Sequence, residues 1–217
     1  MSDGRLIALE GLDGAGTTTQ LPRLAAWLQA SAVPVHASAE PSAGAIGRFL
    51  RQALAAGPPD PAAPSLDEAS LALLFAADRL HHLQAEMAPA WARGDLVLTD
   101  RYLLSSYAYQ GCTLPTAWLQ AINARARPAD LTLYLRLSPD TAAQRRRQRG
   151  GAAERFDDGA RQRQVATLYD DYAGRTAYGP VVTIDAEAEV AAVSLALQRA
   201  VTPYLRDWGL LTAPRPT

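Results

Sequence analysis

The stretch Gly11-Leu12-Asp13-Gly14-Ala15-Gly16-Thr17-Thr18-Thr19 decides the fold of this 217-residue chain. It follows an apolar run at 6–9 and precedes Leu21, Leu24, Ala25 and Leu28, which recur at helical spacing. Strand, glycine turn and helix together are the context of a phosphate-binding loop. Its pattern is Gly, four residues, Gly, Lys, then Ser or Thr. Gly11, Gly16 and Thr18 fit. Glycines let successive backbone N–H groups turn inward into an anion-binding nest, and the positive end of the next helix points at the same spot. Gly14, Ala15, Thr17 and Thr19 complete the candidate phosphate site, and the Thr18 hydroxyl is a candidate Mg²⁺ ligand. Thr17 stands where the pattern has lysine.

Working outward, apolar runs at 6–9, 33–37, 96–99, 131–137 and 181–184 are short, partly β-branched and bounded by Gly, Pro or Asp. They read as buried strands. Helical patterns occupy 18–30, 66–90, 115–127, 141–149, 160–172 and 190–204. The alternation predicts a three-layer α/β/α fold with a five-stranded parallel sheet covered on both faces. The length suits one domain, 1–212, with a Pro-rich surface loop at 57–64 and a frayed tail at 213–217.

A net charge of −1 gives no global attraction to nucleic acid or anionic membrane, so neither is expected as a partner. No stretch approaches the ~18 apolar residues of a membrane helix. The single cysteine, Cys112, has no intrachain partner, which fits a reducing cytoplasm. All 21 basic residues are Arg. That argues against a GTPase, whose guanine-reading Asn-Lys-x-Asp motif needs lysine. The three histidines, His36, His81 and His82, show no metal-ligand spacing and read as packing or surface residues.

Chemistry-bearing residues gather at strand ends. Asp100 closes the third strand, where ligands collect in open parallel sheets. A carboxylate there can hold Mg²⁺ through water or orient a phosphate-binding Arg. Arg101 can take a phosphate bidentately and screen repulsion between two anionic substrates. Phe75 and Arg79 are four apart and share a helix face. A basic run, Arg145-Arg146-Arg147-Gln148-Arg149, puts Arg145 and Arg149 on one face.

Several of these segments resemble the bacterial thymidylate kinases. The phosphate loop does so down to the embedded Asp13 and the trailing Thr19-Gln20. Glu40-Pro41 is similar to that family's Arg-Glu-Pro, with Ala39 in place of Arg. Leu74-Phe75-Ala76-Ala77-Asp78-Arg79, Asp100-Arg101-Tyr102, Ser105-Ser106 and Ala108-Tyr109-Gln110-Gly111 extend the likeness over nearly the whole chain. The resemblance implies an ATP-dependent kinase for dTMP, dimeric, with Mg²⁺. It implies Phe75 stacked on thymine, Arg79 on a base carbonyl, Tyr109 beneath the deoxyribose, and Asp13 on the 3′-hydroxyl or a Mg²⁺ water. Glu40, Arg101, Ser105, Ser106 and Gln110 complete the acceptor site. It also implies an arginine lid at about 144–157, carrying Arg145, Arg147, Arg149 and Arg155.

Lysine normally neutralises β/γ-phosphate charge during transfer. With Thr17 in its place, either an arginine of the lid, foremost Arg149, supplies the charge beside Asp13 and Arg101, or transfer is lost and the protein is a nucleotide-binding sensor. Ala39 leaves open another pyrimidine monophosphate as acceptor.

Overall fold

The computed structural model describes residues 4–56, 66–149, 159–175 and 178–211. The expected loop at 57–64, the lid from 150 to 157 with Arg155, and the tail at 213–217 lie outside them. Arg149 is described by its backbone alone.

Five strands, β1 Leu6–Gly11, β2 Val35–Ala39, β3 Leu96–Asp100, β4 Leu131–Arg136 and β5 Val181–Asp185, form one parallel sheet in the order β2-β3-β1-β4-β5. β1 and β3 are buried along their whole length and β4 nearly so, because helices cover both faces and leave no polar side to alternate toward. β2 and β5 are edge strands and only half-buried. The expectation of five buried strands therefore holds in the middle of the sheet and fails at its margins.

The helices are α1 Thr17–Ala30, α2 Ala45–Ala56, α3 Glu68–His82, α4 Ala88–Ala92, α5 Leu103–Gln110, α6 Thr116–Asn123, α7 Pro139–Arg149, α8 Gly159–Ala173 and α9 Val190–Asp207. A π-helical turn, Leu83–Met87, joins α3 to α4, so the expected helix at 66–90 is one continuous run with a bulge. Asp67 starts it by accepting the Ser70 N–H at 2.6 Å. α1 packs on β2, β3 and α9; α5 packs on β1 and on α8, which reaches β5. This is the three-layer arrangement that the alternation predicts.

Two helices escape the sequence pattern. α2 contains Gly47, which costs about 1 kcal/mol in a helix. The glycine is needed there, since a β-carbon would lie 2.0 Å from the Ser42 carbonyl oxygen. α5 is short and Ser-rich, and it is held by burial of Leu103, Leu104, Tyr107 and Ala108 rather than by propensity.

β1 lies at the centre of the sheet, so its C-terminal loop opens between strands whose crossovers depart in opposite directions. That crevice is where open α/β sheets bind ligands. α7 is seated on the loop. A β-carbon at Gly14 would lie 2.8 Å from the Ala142 carbonyl oxygen, and Gly14 sits at φ +102°. Gly14→Ala is expected to destabilise the fold by about 2 kcal/mol in urea unfolding, from backbone strain plus displacement of α7.

Candidate active site

The loop after β1 has the geometry of an anion nest. Gly14 and Gly16 both take positive φ, the Ala15 N–H donates to the Leu12 carbonyl at 2.9 Å, and α1 begins at Thr17. The Thr17 side chain is buried, whereas Thr18 and Thr19 face outward. Gly11 ends β1, and a β-carbon on it would strike the Leu135 carbonyl oxygen at 2.8 Å.

On one side of the loop lies an open cleft of ≈ 620 Å³. Every residue expected in the acceptor site lines it: Asp13, Glu40, Phe75, Arg79, Arg101, Ser105, Ser106, Tyr109 and Gln110. They come from five separate segments, brought together at the C-terminal edge of the sheet. The Arg79 guanidinium, 1% exposed, donates to Glu40 at 3.0 Å, to the Ser106 hydroxyl at 2.9 Å, to the Tyr102 carbonyl at 3.1 Å and to Asn123. Gln110 Oε1 is buried with no partner among the described residues.

Arg101 stands at the mouth of this cleft with φ +69°. Its Nη1 donates to the Gly11 carbonyl and the Ser105 hydroxyl, and its Nη2 pairs with the Asp13 carboxylate. The guanidinium lies over the Tyr109 ring, 5.2 Å from its centroid. Tyr109 in turn donates its hydroxyl to Asp13 at 3.0 Å. Burial raises the Tyr109 pKa, so it remains a phenol and a donor.

Opposite lies a second cleft of ≈ 990 Å³, lined by Gly14, Ala15, Gly16, Thr19 and Arg145 among others. Its far wall is the segment between β5 and α9. Arg145 Nη2 is 3.5 Å from the Glu187 carbonyl. Arg147 is exposed.

Between the clefts, Thr18 Oγ1 donates to Asp100 Oδ2 at 2.8 Å. Asp100 Oδ1 is buried without a partner among the described residues. An unmatched carboxylate oxygen beside a hydroxyl fits Mg²⁺. That ion keeps several waters and phosphate oxygens and needs few protein ligands. No cage of three or more His, Cys, Asp or Glu exists among the described residues.

Sequence reasoning missed Glu10, the carboxylate behind the loop. It is 0% exposed. Its Oε1 accepts the N–H groups of Tyr102 at 2.9 Å and Ser105 at 3.2 Å, and its Oε2 accepts the hydroxyls of Ser105 and Tyr169. The signal was present as an acid inside an apolar strand, but it reads as the strand's end. Also missed were Arg146, whose Nη1 donates to the Asp13 carbonyl at 2.6 Å, and Asn123 and His82, which support Arg79 and Glu40.

A glycine-built phosphate nest flanked by two clefts, with a hydroxyl and a carboxylate at the strand ends, defines a phosphate-loop nucleotide-binding enzyme. The thymidylate kinase family model matches residues 9–196. The chain is 39% identical to the thymidylate kinase of Xanthomonas oryzae pv. oryzae strain PXO99A over 205 residues, 94% of this chain and 86% of that protein. It is 47% identical to the thymidylate kinase of Synechococcus sp. strain RCC307 over 154 residues, 66% and 71% of the two chains. It is 36% identical to the probable thymidylate kinase of Pyrobaculum aerophilum over 192 residues, 88% and 93%. The chain belongs to the thymidylate kinase family and is an ATP-dependent nucleoside-monophosphate kinase.

Burial raises the Glu10 pKa above its ordinary 4.5, against the opposing hydrogen bonds from Ser105. A raised folded value makes a stability contribution that is present at low pH and lost as pH rises through that value. Glu10→Gln removes this loss, so the difference in melting temperature, variant minus parent, is expected to increase as pH rises above about 4.5. A flat difference across a thermal melting series would refute it.

Proposed function

We propose that this enzyme transfers the γ-phosphoryl of ATP to dTMP, giving dTDP, with Mg²⁺. The observation that carries this reading is the convergence of Asp13, Phe75, Arg79, Arg101, Tyr109 and Gln110 on one cleft that meets the phosphate nest at Asp13. ATP occupies the opposite cleft, with its phosphates on the backbone of Gly14–Gly16.

In the transfer, an oxygen of the acceptor phosphate bonds to the γ-phosphorus as the bond to the ADP oxygen breaks. Little covalent work falls to the protein, which supplies placement and charge. Arg101 binds the acceptor phosphate, held in place by Asp13 and the Gly11 carbonyl. Thr18 and Asp100 would hold Mg²⁺, directly or through water. Bound there, the ion would supply positive charge that offsets the phosphate charge during transfer. Thymine stacks on Phe75 and is read by Arg79 and Gln110, with Ser105 and Ser106 beside it. Tyr109 closes the floor beneath the deoxyribose. Ala39, where the family's Arg-Glu-Pro has Arg, leaves the acceptor phosphate to other cations, Arg101 first. Of the four lid arginines, Arg145 lines the donor cleft; Arg147, Arg149 and Arg155 are assigned to the donor by family resemblance.

Two further features complete the proposal. Phe49 and Leu73 are exposed, 36% and 50%, on the adjoining helices α2 and α3, which supports a homodimer through that face. A lone Cys112 and the absence, among the described residues, of a helix able to cross a membrane support residence in the cytoplasm.

The test is an acceptor panel of nucleoside monophosphates with Mg-ATP, read by coupled ADP release. dTMP is expected to outpace dUMP and ribonucleotides. Phe75→Ala is expected to raise the KM for dTMP about tenfold, the loss of one stacked base. Binding of both nucleotides without turnover would instead identify a sensor. In sedimentation velocity, Phe49→Arg is expected to shift the protein from dimer to monomer, and a parent that sediments as a monomer would refute the dimer.

A further inference from the structure

Lysine is absent from the chain. Thr17 is 5% exposed and occupies the loop position from which a lysine reaches the β- and γ-phosphates. An arginine is the side chain available to replace that charge, and among the described arginine side chains, which exclude those of Arg149 and Arg155, the geometry narrows the choice. Gly14 is seated against Ala142 of α7. Arg146 follows Ala142 by one helical turn, so it projects over the same part of the loop. Its Nη1 donates to the Asp13 carbonyl oxygen at 2.6 Å. Asp13 lines the acceptor cleft and the next three residues line the donor cleft. Arg146 is half-buried, and it touches the loop at Asp13, the residue next to which the two cleft linings meet. Arg145, rotated by about 100° on the helix, lines the donor cleft alone, and Arg147 is exposed. Arg101 is committed to the Asp13 carboxylate on the acceptor side.

We propose that Arg146 is a catalytic residue that supplies the positive charge missing at position 17. This rests on the kinase reading above and deepens it. The guanidinium exchanges the Asp13 carbonyl for oxygens of the γ-phosphoryl group as that group leaves ADP for the acceptor. Charge in such a transition state spreads over the three equatorial oxygens, which a planar fork of N–H groups can meet in pairs. A lysine would rise from the first turn of α1, beneath the phosphates. Arg146 descends from α7, above them. Phosphate neutralisation in this enzyme therefore depends on α7 being docked on the loop at Gly14.

The experiment compares Arg146→Ala, Arg146→Gln, Arg146→Lys, Thr17→Lys and the double variant Thr17→Lys/Arg146→Ala. ADP release with dTMP is measured for each, together with calorimetric affinities for Mg-ADP and a non-hydrolysable Mg-ATP analogue. Arg146→Ala and Arg146→Gln are expected to lose about a hundredfold in kcat, and Arg146→Lys about tenfold or less. The Ala and Gln variants should also lose preference for the triphosphate over the diphosphate, which a merely structural role would not change. The gain from Thr17→Lys should be at least about tenfold larger in the Arg146→Ala background than in the parent. Losses under about threefold in kcat together with an intact triphosphate preference would overturn the proposal, as would equal effects of Thr17→Lys in both backgrounds. A parent that turns over no acceptor would instead defeat the kinase reading, and the triphosphate preference alone would then decide on Arg146. Melting curves of the Gln and Lys variants separate loss of charge from loss of fold.

Discussion

Arg101 is held at φ +69°, a conformation that costs a non-glycine residue about 1–2 kcal/mol. The two halves of the site are joined through it. Its N–H donates to the Leu9 carbonyl at 2.8 Å, and its own carbonyl accepts from Thr99 at 3.0 Å. Glu10 fixes the next backbone N–H, that of Tyr102. Three neighbouring strand residues thus clamp one strained residue from both sides. The outcome is a guanidinium aimed back at the phosphate loop, touching Gly11 and Asp13, instead of outward along the sheet edge. Strain retained at a site is informative because the surroundings must over-determine it. Here they do so with a buried carboxylate, whose desolvation is itself unfavourable.

The acceptor wall follows the same logic. Arg79 and Glu40 form an ion pair of 2.9 Å at 1% and 4% side-chain exposure. A buried pair of this kind contributes little net stability, since the desolvation penalty offsets the attraction. What it provides is position. Glu40 also faces His82 at 3.4 Å, and His82 contacts Ser38, which donates to Glu86. Asp78, next to Arg79, accepts both the N–H and the hydroxyl of Ser42 at 2.6 Å. The segment after β2 and the helix α3 are therefore locked together by polar contacts on either side of the cleft. Phe75, one turn before Arg79, takes its place from that lock.

Why the fold and so much of the lining of one cleft were legible in the sequence is a matter of range. The phosphate loop is local: its glycines, its strand and its helix are contiguous, and the backbone conformation follows from them. The central strands are local too, because burial on both faces writes itself as an unbroken apolar run. Phe75 with Arg79, and Asp100 with Arg101, are readable through spacing and through family resemblance. Glu10 was not readable, because its partners lie 92 to 159 residues away and nothing nearby in sequence marks it as more than a strand terminus. Arg146 was hidden differently. Among consecutive arginines on one helix, the residue that faces the loop depends on the phase of α7 against Gly14. That phase is set by the contact with Ala142, which no local pattern encodes.

This difference in range separates the two sides of the reaction. Acceptor-side charge is built into the sheet edge and buried in fixed pairs, so it is in place before any ligand arrives. Donor-side charge is carried by α7, a helix of very low mean hydropathy whose anchors on the loop are Ala142 against Gly14 and Arg146 on Asp13. A lysine on α1 would have made the donor side as fixed as the acceptor side. In a chain with arginine as its only cationic side chain apart from histidine, reach becomes the constraint. A guanidinium is planar, always charged and able to bridge two oxygens, so it can act from outside the loop where an ammonium would have to act from within. The threonine at 17 then leaves the floor of the nest to backbone N–H groups and the end of α1, and the countercharge comes down from the opposite side.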